Sequence, residues 1–144
     1  MNSSQPSERI AICGVANPQT MNNNSFPTGP VDLSKFHEAL FLLIVGDIPT
    51  SGTLDAKLQE SDVANFASGV TDIPGKTMMQ LVATDDNKQV VFNLKAEECS
   101  KRYARLLITA SPHNNIACAV ALGIKPRHAP ATDDDAATVA QIVT

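Results

Sequence analysis

The sequence predicts an all-β fold, an antiparallel β-sandwich of the jelly-roll kind with an extended N-terminal arm and a C-terminal tail. Three observations lead there. Across residues 53–60, Leu54, Ala56 and Leu58 alternate with Asp55, Lys57 and Gln59, the two-residue period of a half-exposed strand. Just before it, the short apolar run 39–45 ends at Gly46, and Asp47-Ile48-Pro49-Thr50-Ser51-Gly52 supplies the Pro and Gly of a turn. From there to residue 124, short runs are punctuated by turn residues with no long helical period between them.

Taken in order, residues 1–30 are rich in Asn, Ser, Pro and Thr around one apolar island, Ile10-Ala11-Ile12-Cys13-Gly14-Val15-Ala16. The island is a short strand or a docking segment, and the remainder, with its Asn22-Asn23-Asn24 run, is arm or linker. Residues 31–126 form the body. After the first two strands, 62–69 is a surface connection, Val70 to Ile73 is weak, and Pro74-Gly75 marks a turn. A strand is expected over 77–83, a turn over 84–88, and a strand over 89–95. A single helical turn at 96–101 leads into a strand at 103–110, with Tyr103 at its start placed to lock a crossover through its hydroxyl. After the turn at 111–115, residues 116–124 are apolar throughout, as in a central strand. Residues 127–144 are a tail in which Thr132 and Asp133-Asp134-Asp135 would start a short helix, with Val139, Ile142 and Val143 on one face.

Composition narrows the function. A 144-residue chain is long enough for one domain with a real core, built on aliphatics because aromatics are 4 % and Trp is absent. A net charge of −4 opposes a nucleic-acid partner, and the densest basic group, Lys101, Arg102 and Arg105, has Glu97 and Glu98 beside it. No apolar run is long enough to cross a bilayer, and no export signal is expected at the N-terminus. Three widely spaced cysteines, Cys13, Cys99 and Cys118, read as buried reduced thiols suited to a reducing cytoplasm.

Catalytic and metal chemistry find little support. His37, His113 and His128 are scattered, without HxH or HExxH spacing, and neither a GxSxG elbow nor a glycine-rich phosphate loop occurs. The acidic triplet 133–135 and Asp85-Asp86-Asn87 lack the ligand order of a calcium loop and read as a helix cap and a turn. No cofactor, metal or catalytic residue is expected. Apolar residues on segments without a core of their own are the expected partner contacts. These are Ile10, Ile12, Val15 and Phe26 in the arm and Val139, Ile142 and Val143 in the tail.

Four segments carry a family resemblance: VDLSKFHEALFLLIVGDI at 31–48, TLDAKLQESD at 53–62, RYARLLIT at 102–109 and GIKPRHAPATD at 123–133. Together they resemble a family of small virion structural proteins of tailed bacteriophages. Where relatives carry an aromatic, Asp-Gly-rich hairpin, this chain has Asp62-Val63-Ala64-Asn65-Phe66. The resemblance implies a capsid decoration (cement) protein, assembled in the host cytoplasm and placed on the outer capsid lattice of the virion. Its partners would be the major capsid protein and itself, as a homotrimer, with neither nucleic acid nor membrane. A head–tail connector ring and a free-standing ligand-binding sandwich are the alternatives.

Overall fold

The computed structural model describes residues 4–131 and 138–144. Nine strands follow in chain order: β1 Ile10–Met21, β2 Ser25–Pro27, β3 Val31–Asp32, β4 Phe36–Val45, β5 Leu54–Ser61, β6 Thr71–Thr77, β7 Gln89–Lys95, β8 Tyr103–Ala110 and β9 Asn115–Pro126. All pair antiparallel and form two sheets. Sheet I has the order β1-β9-β4-β7, and sheet II has β2-β8-β5-β6 with β3 also on β8. The expected antiparallel sandwich is therefore present.

The two sheets close on one core because alternate residues of each strand point inward. Phe41 and Leu43 of β4, Leu54 and Leu58 of β5, and Leu106 and Ile108 of β8 are fully buried there. The runs 39–45 and 53–60 do not pair with each other. One lies in each sheet, so the Pro49–Gly52 turn carries the chain across the sandwich.

Several expectations need correction. Half of the predicted arm is sheet: β1 spans twelve residues and pairs along β9 from Ile10↔Ile124 to Met21↔Asn115, and β2 places Phe26 opposite Ile108. Asn17 and Pro18, which look like linker, fall in a register break between Ala16 and Gln19 on an edge strand, where a missing N–H is tolerated. Pro74-Gly75 is likewise a bulge inside β6, between the paired residues Asp72 and Thr77. The strand expected at 77–83 is reduced to one bridge, Leu81 to Leu54. In the tail, residues 139–144 form neither helix nor strand, while the proposed cap at Thr132 and Asp133–Asp135 lies outside the described residues. The helical turn after β7 is present as a 3-10 turn, Ala96–Glu98.

Polar side chains pin the connections. Asp32, buried at the start of sheet II, accepts from Arg102 Nε at 3.0 Å and Nη2 at 2.8 Å, and from Ser34 N and Oγ. Burial alone would raise its pKa, but these bonds to the ionised form outweigh it and hold the carboxyl at about 2. Glu60, also buried, accepts from Ser100 Oγ at 2.5 Å and from the backbone N–H groups of Ser100 and Lys101. Arg105 stacks 4.3 Å above the Phe66 ring and donates to Gln59, which holds the 62–70 loop down on sheet II. Tyr103 is met by the Arg102 guanidinium 4.9 Å above its ring. The hydroxyl lock expected of it is absent from the hydrogen bonds among the described residues.

Two tests follow from this packing. Gly14 of β1 meets Gly29 backbone to backbone, and a Cβ on Gly14 would overlap the Gly29 Cα and carbonyl. Gly14→Ala is expected to cost about 1–3 kcal/mol and lower the urea midpoint by about 1 M; an unchanged midpoint contradicts the close approach. Because the folded pKa of Asp32 lies below its ordinary value of 3.8, its stabilisation is full above about pH 4 and lost as pH falls through about 2. Screening at the half-exposed Arg102 leaves about 1–2 kcal/mol. Asp32→Asn should flatten this acid limb in urea titrations at stepped pH, and an identical limb in the variant refutes the assignment.

Candidate interaction surface on the four-stranded sheet

Strand β9 lies between β1 and β4, so both its edges are paired and its side chains have two faces to fill. The inward face receives the small residues Ala117, Ala119, Ala121 and Gly123, all buried. The other face receives Ile116, Cys118, Val120, Leu122 and Ile124. The bulkier aliphatics thus stand on the outside. Both neighbours continue the pattern: β1 turns Ala11, Gly14 and Ala16 inward, leaving Ile10, Ile12 and Val15 outward, and β4 presents Leu40, Leu42 and Ile44.

The register joins these positions into rows across the sheet. One runs Val15, Val120, Leu42, Val91; the next runs Ile12, Leu122, Leu40, Asn93; a third runs Cys118, Ile44, Gln89. No charged side chain stands in these rows. At one end of β9 the face is bounded by the Glu38–Lys125 ion pair at 2.6 Å, and along β7 by Gln89 and Asn93. Ile10, Ile44, Val91 and Ile116 are 42, 40, 53 and 43 % exposed. Among the described residues the helical elements are single 3-10 turns, none long enough to form a layer on the sheet. An antiparallel sheet with one wet face normally alternates apolar with polar, and this one does not. The face measures about 30 Å along β9 and about 19 Å across four strands, or about 600 Å² in plan. Its aliphatic part, three strands wide, is about 400 Å², the size of the largest apolar patch on a monomer, which is often functional.

Of the residues expected to contact a partner, Ile10, Ile12 and Val15 come together on this face, although they reach it as part of a sheet and not of an arm. Phe26 is half-buried against the core of its own sandwich. Val139 is half-buried, and Ile142 and Val143 are exposed in the irregular tail, 63 and 84 %. Sequence reasoning missed Leu40, Leu42, Ile44, Ile116, Val120, Leu122 and Ile124 as surface residues. Their signal was present in the unbroken apolar runs 39–45 and 116–124.

Elsewhere among the described residues the titratable groups are dispersed. An open cleft of about 490 Å³ at one end of sheet I is lined by His37, Glu38, Lys95, Ala96, Glu97 and Arg127, charges of both signs facing solvent. His113 is in a turn, and His128 is exposed beyond β9. Asp85 accepts from Val82 N and Lys88 Nζ, and Asp86 accepts from Ile48 N, so this turn uses its carboxylates to hold itself. Among the described residues no three His, Cys, Asp or Glu gather as metal ligands, and no helix is long and apolar enough to cross a membrane. Among the described residues no disulfide forms, and the three cysteines are half-buried.

No protein-family model and no curated protein matches the chain. Among solved structures it is similar to a protein of Bacillus endospore appendages, described as disulfide-linked pili. The TM-score is 0.43 at 12 % identity over 87 % of this chain and 99 % of that one. It is also similar to a protein of infectious bursal disease virus, Gt strain, with TM-score 0.43 and 9 % identity over 81 % of this chain and 32 % of that one. Likeness at this level carries no argument about what the chain does.

The cysteine environments give a direct test. Burial, reinforced by the negative charges of Glu60 and Glu98, pushes the Cys99 thiol up to about 12. At pH 8 only about one in ten thousand Cys99 side chains is then a thiolate, and iodoacetamide labelling mapped by mass spectrometry should be over 100-fold slower than for a model peptide. Labelling at the peptide's rate contradicts this environment.

Proposed function

We propose that this chain is a structural subunit of a virion, a capsid decoration protein that binds the outside of the head lattice and stabilises it. The observation that carries the assembly role is the set of aliphatic rows that β1, β9 and β4 present on the outer face of sheet I, a patch of the kind that marks an interaction site. The four segments resembling tailed-phage virion proteins supply the phage and the capsid. In this reading the protein acts without catalysis or cofactor, assembles in the host cytoplasm, and contacts the major capsid protein and copies of itself as a homotrimer.

The physical logic is avidity. A rigid sandwich repeated over a lattice adds many modest burials across subunit seams, so the whole shell gains more than any one contact supplies. The irregular tail, with Ile142 and Val143 exposed, is the segment free to reach a lattice seam. An acidic protein on the outer surface meets no packaged nucleic acid, so its net charge of −4 brings no penalty there.

Quantitative mass spectrometry of purified virions tests the assignment. About one copy per major capsid subunit is expected. A copy number matching one ring per particle would make it a neck component, and its absence from virions would overturn the virion reading.

A further inference from the structure

We infer that the occupant of the sheet I outer face is the same face of other copies of this chain, so that the folded unit is a homo-oligomer cored by β9, β4 and β1. This rests on the assembly reading above and specifies its first partner. Permanent self-association and reversible attachment leave different surfaces. Interfaces that form and dissociate are on the whole about as polar as the rest of a protein, whereas obligate homomeric ones resemble a domain core cut in half. The rows through Val120 and Leu122 are of the second kind: aliphatic across three strands, ending at β7 on Val91 and Asn93, with charge entering only in the row of Ile124 at Glu38 and Lys95.

Size and supply agree. A stable interface needs about 500 Å² or more from each partner, and the whole outer face, its polar rim along β7 included, offers about 600 Å² in plan before its corrugation is counted. A bare face of this kind is an aggregation hazard from the moment the chain folds, so its cover must be present during synthesis. Another copy of the chain always is. Like faces also meet without electrostatic penalty, because the net charge of −4 is carried outside these rows. A two-sheet stack and a three-sheet prism each remove the face from water.

Sedimentation equilibrium of the purified full-length protein, between about 1 and 100 µM, reads the outcome. The wild type is expected at an integer multiple of the 15.3 kDa chain. Ile44→Lys with Ile116→Lys should shift it to a monomer with unchanged β-sheet circular dichroism. Val91→Lys, at the most exposed apolar position of the face, provides a milder disruption should the double variant fail to fold. Met79→Lys, 89 % exposed and outside these rows, is expected to leave the oligomer intact. A monomeric wild type at 100 µM overturns the inference, as does an oligomer that survives the face substitutions. If the wild type is monomeric but Val91→Lys is lost from virions, another protein covers the face and only the self-association fails. If Val91→Lys is also retained in virions, the assembly reading falls with it.

Discussion

The rest of the structure depends on an inverted division of side-chain volume in β9. Its inward positions are Ala117, Ala119, Ala121 and Gly123, while its branched residues face outward. A core strand that sends its small residues inward can let neighbours approach closely, and this one does: the Phe36 ring sits where a Cβ on Gly123 would be. The same economy on β1 lets Gly14 meet Gly29 as the chain passes from sheet I to sheet II. The bulky part of the core is therefore supplied by β4, β5, β7 and β8, through Phe41, Leu43, Leu58, Leu94 and Leu106. Apart from Met21, buried at the end of β1, what β9 and β1 hold in bulky aliphatic volume is left on the far side of the sheet.

That arrangement ties the fold to its role. A surface formed by paired strands has no backbone polarity to satisfy, because every N–H and C=O of a central strand is already bonded in the ladder. Only side chains decide what it can meet, and across β1, β9 and β4 the central rows are aliphatic. The polar machinery lies in sheet II and at the strand ends. Asp32 clamps Arg102, Glu60 gathers the backbone of Ser100 and Lys101, and Arg105 covers Phe66. These contacts pin the connections of sheet II, on the other side of the core from the aliphatic rows of sheet I.

Much of this was legible in the sequence, and the parts that were not have identifiable causes. Alternation in Leu54, Ala56 and Leu58 placed β5, and turn-forming Thr84 to Lys88 separated β7 from what precedes it. β1 was hidden because Asn17, Pro18 and Thr20 resemble a linker; an edge strand with a bulge accepts such residues, and only tertiary pairing with β9 reveals it. β6 was hidden by Pro74-Gly75, a turn signal used here as a bulge. The outer face was written openly in 39–45 and 116–124, but an unbroken apolar run says only that both faces are dry. Whether the second face is dried by the same chain or by another is a property of topology, and the sequence does not encode it locally. Phe26 shows the reverse error: an apolar residue in a polar stretch that turned out to serve its own core.

The central claim is that the outer face of sheet I is buried in the working protein. Hydroxyl-radical footprinting of the native assembly, with each side chain's rate divided by its rate in the unfolded chain, measures this directly. The account expects Ile44 and Ile116 to be protected far beyond the 40 and 43 % exposure they have in a single chain, while Ile142 in the tail stays reactive. Rates at Ile44 and Ile116 matching their single-chain exposure would contradict it.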